Sequence, residues 1–273
     1  MTGALKMQQQ ALAAFDEIGD RRGSSATLNN LGNLAVEKGN LDEAEKYFNR
    51  AVTMTREITY RGGEPYPIAG LGDVLLARGD LAGAKKRYFD ALTICEEIKD
   101  EDFSSQIRTA LAFVALQEGK FSDGEALARQ SASAFDKTNA TASSAWAHAI
   151  LAGNLLGENN LSEARSAAAR AITLSQQAAG ETPRYEAALA DARVQARLGK
   201  IMEARRELEA TLFSTRKFGY RLYELRARLA IGEIDLSSES ASARHDLRLL
   251  EADAKAQGAF LIANQASALL QTK

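Results

Sequence analysis

The chain has 273 residues, a formal net charge of -2 and 45% hydrophobic residues. That is enough apolar material for a large buried core, and the charge balance argues against both a disordered acidic tail and a basic nucleic-acid binder. One cysteine, Cys95, excludes an intramolecular disulfide and a cysteine-based zinc site, and no apolar run reaches the ~18 residues a membrane span needs.

Only three prolines occur, amid abundant Ala, Leu, Glu and Arg, a composition that favours helix. The opening stretch MTGALKMQQQALAAF has neither a charged leader region nor an unbroken apolar run, so it is not a secretory signal and a cytoplasmic protein is expected. Residues 1–18 read as a helix with Leu5, Leu12 and Phe15 on its apolar side. Ala4 and Ala11-Leu12 fall forty residues before Ala44 and Ala51-Val52, so this helix is the second half of an incomplete repeat. A longer parent protein, or docking of this helix elsewhere, is the expectation.

From here the chain repeats. The stretch LGNLAVEKGNLDEAEKYFNRAV, residues 31–52, breaks at Gly39. At forty-residue steps stand Gly79, Gly119, Asn159 and Gly199, residues suited to the left-handed conformation that ends a helix. Two positions after each break comes an apolar residue: Leu41, Leu81, Phe121, Leu161, Ile201. Three further on is a small one: Ala44, Ala84, Gly124, Ala164, Ala204. A second small column runs Gly32, Gly72, Ala112, Ala152, Ala192, Gly232 upstream of the breaks. Each unit therefore reads as a helix A, a tight turn and a helix B, with small residues where neighbours approach. One such pair cannot bury both its faces, so the units must stack. The expected repeats cover 24–58, 64–98, 104–138, 143–178, 183–218 and 221–257, the last with a one-residue slip that puts Ala243, Leu247, Leu250 and Ala254 on the helix B stripe. Residues 259–272 follow as a capping helix, with Ile262, Ala266 and Leu269 on one side and Asn264, Gln265 and Gln271 on the other. All belong to one domain spanning 1–273.

The pairs Leu31-Gly32 and Leu71-Gly72, the turns GNLDEA and GDLAGA, Tyr47-Phe48 and Tyr88-Phe89, and the Ala51 and Ala91 columns resemble the tetratricopeptide repeat family. The usual period of that family is about 34 residues. The longer one here is similar to kinesin light chains, Pins-type adaptors and bacterial regulatory arrays, and would fit helices of about 16–18 residues. Asp191 departs from the pattern, which places Leu there. The resemblance implies an all-α, right-handed solenoid whose A helices line a concave groove where ligands bind.

Stepping one period at a time along that implied wall divides it into three zones. The first is polar to acidic: Asn29, Asn33, Glu37 and Asp73. Its segment ATLNNLGN resembles the kinesin light chain helices whose Asn side chains hold a peptide backbone, a task that suits an amide because it both donates and accepts. The second is aromatic, with Tyr66, Phe113 and Trp146 beside Gly153 and Gly157, two missing side chains that would leave a hollow. The third is cationic: Arg193, Arg197 and Arg226 could fork onto an acidic group unless Glu186 and Glu233 neutralise them. The carboxylate clamp of chaperone-tail binders is not expected, because Asn29 stands where that clamp has Lys, and Gln106 and Ala110 fill later positions.

No P-loop, GxGxxG, HExxH or GxSxG motif occurs, so no catalytic, cofactor or metal site is expected. His148 and His245 read as packed or surface residues, Cys95 as a buried thiol, and the acidic run Glu96-Glu97 to Asp100-Glu101-Asp102 as a solvated link. The expected function is a non-catalytic scaffold for a protein or extended peptide, the adaptor or sensor portion of a larger regulator. The alternative is a small-molecule sensor or an accessory domain of a signalling enzyme. The non-repeating central column argues against a helical-repeat nucleic-acid binder.

Overall fold

A computed structural model describes residues 2–238 and 240–271; the predicted ends of the first and last helices, at positions 1 and 272, lie outside them. The described residues form fourteen α-helices and one 3-10 turn. The first, α1 (Thr2–Glu17), is a lone helix B. Six hairpins follow: α2 (Arg21–Glu37) with α3 (Leu41–Glu57), α4 (Pro65–Ala77) with α5 (Leu81–Ile98), and α6 (Glu101–Gln117) with α7 (Phe121–Thr138). Then come α8 (Thr141–Gly157) with α9 (Leu161–Gln177), α10 (Thr182–Arg197) with α11 (Ile201–Phe218), and α12 (Arg221–Ser237) with α13 (Ala243–Ala256). The last helix is α14 (Phe260–Gln271), and the 3-10 turn Arg61–Gly63 precedes α4. The fold is an all-α solenoid.

The turns show why the chain breaks where it does. Gly39, Gly79, Gly119, Asn159 and Gly199 all have positive φ, as the break column requires. The links between hairpins use the same device: Gly19, Thr59, Lys99, Asn139 and Gly219 are also left-handed. The punctuation therefore recurs about every twenty residues from Gly19 to Asn159, twice per repeat, then at Gly180, Gly199 and Gly219, and four of its positions, Thr59, Lys99, Asn139 and Asn159, carry side chains that pay a steric penalty there. Helix starts are capped by local acids and amides: the side chains of Asp20, Asp80, Asp100 and Asn160 accept from the backbone N–H of Gly23, Gly83, Phe103 and Glu163.

The small columns admit specific partners. A Cβ on Gly32 or on Gly70 would land inside the ring of Phe48, which is fully buried between α2 and α4. Gly72 admits the ring of Tyr88, and Gly232 the side chain of Leu247. Gly124 admits the Asn154 amide, which donates to the Ile150 carbonyl at 2.9 Å. Helix B side chains thus reach helix A backbones at Gly32, Gly70, Gly72 and Gly232, and a helix A amide reaches a helix B backbone at Gly124, giving the close packing that stacked pairs need.

A helices also pack on their neighbours' A helices: α2 on α4, α6 on α8, α8 on α10, and α10 on α12. The array then closes on itself, because α12 packs on α2 and α14 on α4. Gly39 lies against Arg221 and Gln257, and Gly79 against the Leu261 backbone and the Asn264 amide. Two side-chain hydrogen bonds bridge distant repeats: Thr182 Oγ1 donates to Glu37 Oε1 at 3.4 Å, and Gln265 Nε2 to Gln117 Oε1 at 2.6 Å. The expected capping helix is present and makes further contacts. Ile262, Ala263 and Ala266 are buried as a cap requires, but Asn264 and Gln265 meet α4 and α6, so part of the polar side of α14 faces other repeats.

Candidate functional site

Closure turns the inner wall into a cavity of about 660 Å³, within the usual size range of ligand pockets. Its lining is mostly apolar and draws on every A helix and on α14. Leu76, Leu116, Ile150, Leu156, Leu189, Leu229 and Ile262 supply the aliphatic surface. Phe113, Trp146 and Tyr223 supply the rings. Trp146 is only partly buried and also packs against the two central core clusters, so part of its indole is committed to the scaffold.

The cavity gathers five of the nine residues expected to bind ligand: Asp73, Phe113, Trp146, Arg193 and Arg226. The other four do not line it. Asn33 is exposed, and Asn29 is half-buried with its Oδ1 lacking a hydrogen-bond partner among the described residues. Tyr66 packs on Phe103 with ring centroids 4.2 Å apart and donates to Asp100 Oδ2 at 2.9 Å. Arg197 is exposed and donates to Asn159 Oδ1 at 2.7 Å. The expected glycine hollow is also corrected. Gly153 lines the cavity, but the space at Gly157 is filled by the ring of Phe121, and that at Gly153 is narrowed by Leu116.

The cationic zone is neutralised. Arg226 forks onto Glu186 with distances of 2.6 and 2.8 Å, and Tyr223 donates to the same carboxylate at 2.9 Å. Burial works against the Arg226 charge, and Glu186 more than offsets it, holding the guanidinium above its ordinary value. Arg226 also lies 5.4 Å from the Phe113 ring centroid and 5.1 Å from that of Tyr223. Arg193 donates to Glu233 at 2.8 and 3.3 Å.

The acids opposite are placed differently. Asp73 accepts from the Tyr88 hydroxyl at 2.6 Å, and burial pushes its carboxyl up to about 6. Glu37 accepts from Thr182 and is likewise raised by burial. Neither makes an ion pair with a Lys or Arg among the described residues.

Sequence reasoning missed the share of the wall that comes from Ser143, Pro183 and Tyr223. These stand one period apart, one helical turn before the Trp146, Glu186 and Arg226 column, so one more backward step would have found them. The contribution of α14 had no periodic signal, because closure sets it.

His148 is half-buried, with Nε2 3.3 Å from Asp136 Oδ2, while His245 is exposed. Cys95 is buried and free, its thiol pushed up to about 12 by burial. Among the described residues no group of three or more His, Cys, Asp or Glu is placed to hold a metal ion, and no helix is long and apolar enough to cross a membrane.

Residues 1–57 match the family model of the tetratricopeptide repeat. No curated protein matches the sequence. Among solved structures the fold is similar to that of a Rap protein complexed with Competence and Sporulation Factor, at 14% identity and a TM-score of 0.62, over 94% of this chain and 77% of that one. It is similar to NprR in complex with its cognate peptide NprX, at 10% identity and a TM-score of 0.62, over 98% of this chain and 82% of that one. A putative kinesin light chain from Podosopora anserina with TPR-like repeats shares 15% identity at a TM-score of 0.51, over 74% of this chain and 95% of that one. At these identities the likeness is one of fold. The repeat that the family model of the tetratricopeptide repeat detects at residues 1–57 continues at a period of about forty residues through the hairpins that follow, and the fold of the chain is that of a tetratricopeptide-repeat array.

Proposed function

We propose that the protein is a non-catalytic scaffold that takes a peptide segment of a partner into the cavity enclosed by its A helices. One observation carries the reading: the walls bring a continuous apolar surface, three rings and a few oriented polar groups into one space of about 660 Å³. Two structures of similar fold are complexes, a Rap protein with Competence and Sporulation Factor and NprR with its cognate peptide, and the second supports a peptide as the ligand class. Enclosure by α12 and α14 favours a short segment over a long extended chain laid along an open trough. The same enclosure favours the second reading, a small-molecule sensor.

Trp146 is the only tryptophan, so its fluorescence reports occupancy directly. Peptides that shift it should bind Trp146→Ala more weakly by about 1–3 kcal/mol, measured by calorimetry, with helicity and melting close to those of the parent. Equal affinity in a well-folded Trp146→Ala protein removes the indole from the binding site. Saturable binding of small organic molecules, with no peptide binding at all, would favour the second reading.

A further inference from the structure

The charges on the cavity wall do not cancel. Its carboxylates are Glu37, Asp73, Glu186 and Glu233, and its cations are Arg193 and Arg226. Both arginines are held on their own acids, Arg226 in a two-pronged pair with Glu186 and Arg193 on Glu233. Releasing either would leave a carboxylate stranded in an apolar space, so neither is free to receive an acidic ligand. Glu37 and Asp73 remain, on the adjacent helices α2 and α4, accepting from the neutral donors Thr182 and Tyr88 and paired with no Lys or Arg among the described residues.

We infer that the cavity selects a short peptide carrying a Lys or Arg side chain beside a bulky apolar one, with the cation seated between Glu37 and Asp73 and the apolar group against Phe113 and Trp146. The inference rests on the peptide-binding reading above and deepens it. It also reverses the charge expected from the sequence, which placed an acidic ligand group at Arg193 and Arg197. Charge complementarity is the argument: two desolvated acids with no Lys or Arg partner among the described residues favour a ligand that brings a cation, and a charge-assisted hydrogen bond is stronger than a neutral one. The raised carboxyl of Asp73 agrees, since an acid already compensated by a neighbouring guanidinium is held low instead.

The test uses three pools of acetylated, amidated hexapeptides rich in Leu and Phe. The pools are identical except for one position fixed as Arg, Gln or Glu. Trp146 fluorescence and calorimetry on the whole chain give the affinities. The Arg pool should bind about tenfold tighter than the Gln pool, and the Glu pool more weakly than either. In the Glu37→Gln, Asp73→Asn double variant the preference for Arg should fall to about twofold or less. That variant removes buried charge while keeping an acceptor for Tyr88, and circular dichroism checks that it folds. If the Gln or Glu pool binds as tightly as the Arg pool, the cationic preference is wrong and the peptide reading stands. If no pool binds, both readings fall. Spermidine binding as tightly as the best Arg peptide would overturn the peptide as the source of the cation.

Discussion

At the scale of single residues, the informative positions are those where burial and charge conflict. Asp73 is the clearest. Its carboxyl is pushed up to about 6 from an ordinary 3.8, so the folded protein keeps this proton over a range where the unfolded chain has released it. The group stabilises the fold most below about pH 3.8 and loses that contribution as pH rises through about 6. Asp73→Asn should therefore stabilise the protein by about 1–3 kcal/mol at pH 7 and change little at pH 4, as measured by urea unfolding across that range. A variant less stable than the parent at both values would show that the carboxylate has a role in the fold beyond accepting from Tyr88. Neither the conflict nor its partner could be read from sequence. The repeat columns placed Asp73 on the inner wall, but only packing shows that a helix B tyrosine donates to it.

At the scale of helices, the sequence was most legible where small residues recur. The break column, the Ala44 column and the Gly32 column all reflect local backbone demands or close approach, and both leave a periodic trace. The twenty-residue spacing of left-handed turns was only half visible, because Thr59, Lys99 and Asn139 fill positions where glycine would have announced the turn. Gly70 was not singled out, yet it matters as much as Gly32, since the two backbones sandwich the Phe48 ring. With that ring fully buried and held on both sides, it has little room to shift. Gly70→Ala should destabilise the protein by about 1–3 kcal/mol through overpacking, although alanine is the better helix former. A gain in denaturant midpoint would mean that the ring can move aside.

At the scale of the whole molecule, local pattern runs out. Stacking was legible, and part of the set of A-helix residues facing inward with it. Closure was not, because it depends on the summed rotation of six hairpins rather than on any one of them. That is why Asp73, Phe113, Trp146, Arg193 and Arg226 meet as expected while Asn29, Asn33, Tyr66 and Arg197 stay outside. Deleting residues 259–273 tests the seam. In an open array the loss would loosen only the neighbouring α12 and α13. Here the amides of α4, which α14 also covers, should exchange about tenfold faster or more, while those of α8 change less. Matching changes in α4 and α8 would point to a general loss of stability instead.

The seam has one more effect, on how such a protein can change in size. In an open array, units can be duplicated or dropped and the remainder still folds, so length drifts freely. Here an extra forty-residue unit would carry α14 past α4 and unseat Asn264 from Gly79 and Gln265 from Gln117. The number of hairpins between α2 and α14 is thus held by geometry, as a clasp must meet its ring.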